Sequence, residues 1–250
     1  MDRFGSSKLR IVWVSVCLLL AGLVIGSLQG FGPDGQLMVF GSALPIGGVF
    51  DDPKLTAIQN LGRLIYTVVP AIILLGGIVP LGDWLASGGR AERYKGLLLG
   101  SGAAFLHGLF LSQITLLPIL AAGFRLLGKP FAPELLLADL NAVILGLQLL
   151  LWTAALGLLL KSNRGLAIVL AFGLHEVGQV MAWGAEFLGD LEVPKGIVRT
   201  MGVLGKSFPS GQLPSDATVW SALPLSLGVP IALAALLLLI PAKGPKRSKA

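Results

Sequence analysis

The chain has 250 residues, of which 54% are hydrophobic and 13% are charged. A soluble domain carries about 25% charged residues, so the composition excludes a water-soluble globule of this length. The net charge is +6, but the basic residues lie beside apolar runs and are not interleaved with aromatic residues. This pattern carries topology information and argues against a nucleic-acid partner. The one cysteine, Cys17, excludes an internal disulfide and a Cys-rich metal site.

Six apolar runs match the length of about 20 residues that crosses the hydrocarbon core of a bilayer. The predicted transmembrane helices are residues 11–29, 64–81, 97–124, 136–160, 165–188 and 219–240. Two outer loops, 30–63 and 189–218, and a cytoplasmic loop, 82–96, separate them. The prediction is therefore an all-α polytopic membrane protein in which residues 1–250 form a single transmembrane domain. The first run is too long for the apolar part of a signal peptide, so we expect it to remain as a helix.

The basic residues in the short connections orient these six helices. Arg3, Lys8 and Arg10 precede the first helix, and further basic residues lie in the loop 82–96, between helices four and five, and in the tail. With six spans, all of these segments fall on one side. Because Lys and Arg accumulate on the cytoplasmic side, both termini are predicted to be cytoplasmic. Helix five is the weakest span, since Glu176 interrupts it.

Three short motifs come close to catalytic signatures, and each lacks an essential residue. His175 and Glu176 begin an H-E-x-x-H pattern, but Gln179 stands at the second His position, and a catalytic zinc normally needs three protein ligands. Gly205-Lys206-Ser207 lacks the earlier glycine of a phosphate-binding loop, and Pro209-Ser210-Gly211 is followed by glutamine instead of the histidine that phosphatase chemistry requires. We therefore expect no metal, no cofactor, no ATP binding and no catalytic centre in this chain.

Polar residues inside the predicted spans are the remaining functional signal. The candidates are His107, Gln113, His175, Glu176 and Gln179. Ionisable groups are costly in a membrane and often mark transport pathways, so one interpretation is a polar or proton-sensitive path. The alternative is that these side chains form hydrogen bonds between helices, with Glu176 protonated or paired.

The layout resembles the type-2 ATP-binding-cassette permeases. The charged stretch 88–99, the run 147–162 with its short basic exit, and the long outer segment before a Leu-rich last helix all resemble parts of that family. Two features depart from it. The amphipathic N-terminal segment is reduced to about ten residues, and the loop after helix two lacks a Leu-rich stretch ending in Ser-x-Pro.

The resemblance implies the membrane-spanning subunit of an ATP-driven exporter in a bacterial cytoplasmic (inner) membrane. It implies two partners besides the lipid bilayer: a second permease subunit and a separate cytoplasmic ATPase. The ATPase would couple through the charged loop, at Arg90, Glu92, Arg93 and Lys95. Glu92 is the residue among these that topology does not require. The alternative function is a structural or assembly subunit of a larger membrane complex.

Overall fold

The computed structural model describes residues 7–32, 36–44, 52–86, 90–128, 133–160, 163–191, 193–209 and 218–239. Within these ranges the chain is mostly helical, with seven helices and a small sheet. The helices are α1 (Ser7–Ser27), α2 (Pro53–Ala86), α3 (Arg90–Leu127), α4 (Pro133–Leu159), α5 (Arg164–Gly189), α6 (Lys195–Ser207) and α7 (Thr218–Leu239). The strands are β1 (Leu28–Phe31), β2 (Leu37–Val39) and β3 (Ser42–Leu44).

Five of these helices are long and apolar enough to cross a membrane. Their apolar stretches are Arg10–Ser27, Lys54–Ile78, Leu99–Leu127, Pro133–Leu159 and Gly165–Gly189, which belong to α1 to α5. In α7 the described apolar stretch, Leu223–Leu239, is shorter. The prediction of a helical, membrane-embedded protein is thus confirmed at the level of helix type and hydropathy.

The second helix begins at Pro53, well before the predicted start at residue 64. The carboxylate of Asp52 accepts hydrogen bonds from the backbone N–H groups of Lys54 and Leu55, at 3.0 and 3.1 Å. Asp52 therefore caps the helix, and proline is favoured at the first helical position that follows. The hydropathy pattern alone locates only the apolar part of this helix.

The predicted loops also contain regular structure. The outer loop 30–63 holds the sheet and the first turns of α2, and the outer loop 189–218 holds α6. In the cytoplasmic loop 82–96, α2 continues to Ala86 and α3 begins at Arg90. Arg, Lys and Glu are good helix formers, so α3 begins before its apolar stretch. The helix α6 is amphipathic, so it lacks the continuous apolar run that predicts a span.

The chain divides into two compact units. Unit 1 comprises Met1–Val79 and Phe105–Leu147, and unit 2 comprises Pro80–Ala104 and Gln148–Ala250. The core of unit 1 is formed by buried side chains of α2, α3 and α4. These are Ile65, Val69, Ile73, Leu116, Leu135, Ala138 and Ala142.

In unit 1, α1 and α3 run parallel to each other. Near the start of α1, the indole Nε1 of Trp13 donates to Thr115 Oγ1 at 3.1 Å. At its end, Arg125 Nε and an Arg125 terminal nitrogen donate to the carbonyl oxygen of Ile25 at 2.8 and 2.6 Å. This carbonyl belongs to the last turn of α1, where a cation also interacts favourably with the helix dipole.

The packing of α2 against α4 in unit 1 gives a second parallel pair. Gly62 lies near Ala138, and further along both helices the side chain of Ile73 packs on Gly146. A Cβ atom added at Gly146 would lie 2.7 Å from Ile73 Cδ1, so the small residue allows the close approach.

The three strands form an antiparallel meander in the order β1-β2-β3. Phe40 and Gly41 connect β2 to β3, and both have positive φ, 50° and 77°. Two such residues are typical of the tight hairpin turn whose twist matches the strands. Gly30 of β1 has φ 92°, and a Cβ atom there would lie 2.7 Å from the carbonyl oxygen of Arg125. This contact holds the sheet beside the C-terminal end of α3.

Candidate functional site

A hairpin of α5 and α6 forms the centre of the candidate site in unit 2. Along the hairpin α6 packs antiparallel to the second half of α5, with small residues at the contact. A Cβ atom added at Gly205 of α6 would lie 3.1 Å from the backbone nitrogen of Ala182 and 3.3 Å from the carbonyl oxygen of Gly178. At the other end of α6, Val198 reaches Gly189. Small residues of this kind let membrane helices pack at short distance.

The chain leaves α6 beside the middle of α5. The ring Nδ1 of His175 lies 2.5 Å from the carbonyl oxygen of Pro209. Because a carbonyl oxygen only accepts, Nδ1 of His175 is the donor in this contact. A Cβ atom at Gly178 would lie 3.0 Å from Phe208 Cβ. The non-helical backbone at Phe208 and Pro209 is thus held against α5.

Unit 2 also contributes buried polar atoms from α4. The ring of Trp152 is tilted against that of Phe208, with centroids 5.9 Å apart. Gln148 Nε2 donates to Ser226 Oγ of α7 at 2.8 Å, and this bond is buried. In the part of α4 that belongs to unit 2, three buried side-chain atoms have no hydrogen-bond partner among the residues that the structure describes: Gln148 Oε1, Trp152 Nε1 and Thr153 Oγ1. This part of α4 therefore retains hydrogen-bonding capacity beside the end of α6.

The other two predicted residues of α5 differ in exposure. Gln179 is half-buried. Glu176 is exposed on the surface of α5, whereas one of the two sequence interpretations had it protonated or paired between helices. Its side chain forms no hydrogen bond or ion pair with any residue that the structure describes.

A second polar contact lies in unit 1, at a residue that sequence reasoning missed. Gln113 Nε2 of α3 donates to the two carboxylate oxygens of Asp139 on α4, at 3.1 and 3.3 Å. Asp139 lies inside the apolar stretch Pro133–Leu159. The signal was present in the sequence, because an acidic residue within an apolar span is itself unusual.

The predicted candidate His107 lies in unit 1 beside a cavity of about 200 Å³. Residues of α1, α2 and α3 form its walls, and Arg10, Trp13 and His107 are the lining residues that carry polar side-chain atoms. The lining residues are Arg10, Trp13, Ile72, Leu75, Gly76, His107 and Leu111. A small apolar molecule or lipid chain fits such walls better than a charged ligand does.

The predicted coupling residues lie in the first turns of α3. Arg90, Glu92, Arg93 and Lys95 belong to this helix, and their side chains lie outside the described residues. The coupling role remains a prediction from the resemblance. Across the described ranges, no three His, Cys, Asp or Glu side chains are grouped so that they could hold a metal ion.

No protein-family model, curated protein or solved structure matches the chain. The resemblance to permeases therefore stays an interpretation of the sequence.

The Gln113–Asp139 contact predicts a measurable coupling between α3 and α4. Replacing Gln113 by leucine leaves the carboxylate of Asp139 without its donor, and we expect a loss of about 0.6–1.7 kcal/mol in the free energy of unfolding, the range of hydrogen bonds between membrane helices. Unfolding in mixed detergent measures it.

The matched control for this prediction is Asp139→Asn, whose amide oxygen still accepts from Gln113. Adding Asp139→Leu to Gln113→Leu removes both partners, so the double variant should recover part of the loss. Strictly additive effects of the two leucine substitutions would show that the contact contributes nothing.

Proposed function

We propose that the chain is the membrane-spanning permease subunit of an ATP-driven exporter in a bacterial cytoplasmic membrane. It spans the bilayer six times with both termini in the cytoplasm. A second permease subunit pairs with it, and a separate cytoplasmic ATPase binds the charged segment at the start of α3.

The directions of the helices in unit 1 support the alternating topology. The parallel pairs α1 with α3 and α2 with α4 have the directions required if each span reverses the previous one. The basic segments before α1 and around the start of α3 then lie on the same side. By the positive-inside rule that side is the cytoplasm.

The length of α7 supports the sixth span. The described apolar stretch Leu223–Leu239 is joined to the preceding residues from Thr218 in one helix of 22 residues. At the rise of an α-helix this length covers about 33 Å, which matches the hydrocarbon core. With α7 as the sixth membrane span, the basic C-terminal tail lies in the cytoplasm.

The proposed transport function depends mainly on one observation: the non-helical backbone after α6 lies beside the middle of α5. Glu176 and His175 lie about 18 Å along a helix about 39 Å long, and the non-helical backbone at Pro209 lies at that level. Within the hydrocarbon region, irregular backbone is tolerated where it is buried in protein or lines a water-filled cavity. Broken and re-entrant segments of this kind build the binding sites of many transporters.

The alternative is a structural or assembly subunit of a larger membrane complex. The buried Gln148–Ser226 bond and the Gln113–Asp139 contact favour it, because both join neighbouring helices and require no transported solute. Such a subunit does not need irregular backbone at the middle of a span, so we place the transport function first.

Affinity purification of the tagged chain from its native membranes separates the two functions. The exporter predicts a bound ATPase and a second permease subunit in equal amounts, recovered in mild detergent. Recovery of a stoichiometric complex without any ATPase, with none encoded beside the chain, would overturn the exporter and support the structural subunit.

A further inference from the structure

Polar side chains occupy regular positions on the α5–α6 hairpin. On α5, each directly follows a residue that contacts α6 or the segment after it: Glu176 follows His175, Gln179 follows Gly178, and Glu186 follows Ala185. One position turns a helix by about 100°. The three side chains are therefore rotated in the same sense away from the line of contact.

The same rule holds on α6. Arg199 directly follows Val198, and Lys206 directly follows Gly205, both of which contact α5. Because α5 and α6 are right-handed and antiparallel, equal rotations from the contact line bring residues of both helices to the same side of the hairpin. We call this side the polar flank. Its polar side chains are Glu176, Gln179, Glu186, Arg199 and Lys206. Two exposed apolar residues, Trp183 and Val203, directly follow the contact residues Ala182 and Gly202 and lie on the same side.

The opposite side of the hairpin is apolar. The residues that directly precede the contact positions are rotated the other way. Most of them are apolar and form the apolar flank, which comprises Leu174, Val177, Leu188, Ile197 and Leu204. Thr200, which directly precedes the contact residue Met201, lies on this side with its hydroxyl bonded to the carbonyl oxygen of Gly196. Val177 and Gln179, on either side of Gly178, therefore lie at nearly the same depth but on opposite flanks. The same is true of Leu204 and Lys206, on either side of Gly205.

The polar flank is exposed, and it reaches deep into the span. Glu176, Glu186, Arg199 and Lys206 are all exposed side chains. Gly205, the neighbour of Lys206, contacts α5 about 10–16 Å before the helix ends. Charged groups at such a depth are costly in lipid, and in membrane proteins they face a bundle interior or a water-filled cavity. The apolar flank suits contact with lipid or with other apolar helices.

We propose that the polar flank lines a water-filled path through the membrane for a hydrated, charged solute. This proposal rests on the proposed transport function and names the surface along which the solute would move. The flank carries both signs of charge, and its charged side chains form no ion pairs with the other residues that the structure describes. Water solvates such a mixed surface directly, whereas a protein that covered it would have to supply a partner for every charge.

Thiol labelling in intact membranes tests the proposal. In a Cys17→Ala background, single cysteines are placed at Gln179 and Lys206 and, as controls at the same depth, at Val177 and Leu204. The probe is a positively charged, membrane-impermeant thiosulfonate. Since only the thiolate reacts, and it forms in water and not in an apolar environment, we expect labelling at least about ten-fold faster at Gln179→Cys and Lys206→Cys.

Each other outcome has a distinct meaning. Equally fast labelling of Val177→Cys and Leu204→Cys would place the whole hairpin in water, which overturns the span α5 and the proposed function with it. Equally slow labelling at all four positions would overturn the water-filled path alone. A disulfide-linked dimer of Gln179→Cys chains would also overturn it, because the polar flank would then be an interface between two copies.

Discussion

Replacing Gly108 by alanine is expected to destabilise the protein by about 1–3 kcal/mol, the usual cost of overpacking a well-packed core. Gly108 lies where α3 crosses α2, and its missing side chain faces the backbone of Ile73. A Cβ atom would overlap the carbonyl oxygen of Ile73 and lie 2.8 Å from its Cα. Backbone atoms cannot move aside as a flexible side chain can, so the two helices must separate.

The control for this prediction is Gly102→Ala in the same helix, because a Cβ atom there meets nothing within 4 Å. Alanine is favoured over glycine inside a helix by about 1 kcal/mol, so Gly102→Ala should be neutral or stabilising. Thermal unfolding of both variants in one detergent measures the difference. Equal stability of the two variants would contradict the close packing of α2 on α3.

Under the proposed exporter function, replacing Glu92 by alanine is expected to reduce the amount of co-purifying ATPase by about ten-fold, equivalent to about 1.4 kcal/mol of binding free energy. The positive-inside rule depends on Lys and Arg and hardly on acidic residues. Loss of Glu92 should therefore leave insertion and topology intact and act on the partner. The measurement is the ratio of ATPase to permease after purification from native membranes.

The matched variant for Glu92→Ala is Glu134→Ala. Glu134 lies in the first turn of α4, as Glu92 lies near the start of α3, so both substitutions remove a similar favourable interaction with a helix N-terminus. In the proposed topology Glu134 faces the opposite side of the membrane. An equal loss of ATPase in both variants would show that Glu92 has no specific coupling role.

Hydropathy predicted the ends of a long helix well where the apolar stretch covers the whole helix. For α5 the prediction, 165–188, differs by one residue at each end from the helix Arg164–Gly189. Its start is also marked by Asn163, whose side chain accepts from Leu166 N at 3.3 Å. The start of α2 was wrong because an N-cap and a proline, not hydropathy, determine it.

The candidate site was only partly predictable. His175 stood out as a polar residue in a span, but its partner Pro209 lies 34 residues away, and no local pattern links the two. The polar flank could not be found without the line of contact between α5 and α6. Once that line is known, the flank follows from the helix period alone. Asp139 was overlooked, although its position in an apolar stretch was visible.

The most direct test of an ATP-driven permease is the labelling rate of Gln179→Cys in native membranes that retain the ATPase, measured with and without ATP. A transporter that alternates between two states should expose the polar flank differently in each. The rate should therefore change several-fold on addition of ATP, while Val177→Cys stays slow throughout. A rate at Gln179→Cys that is the same with and without ATP would contradict an ATP-driven path along this flank.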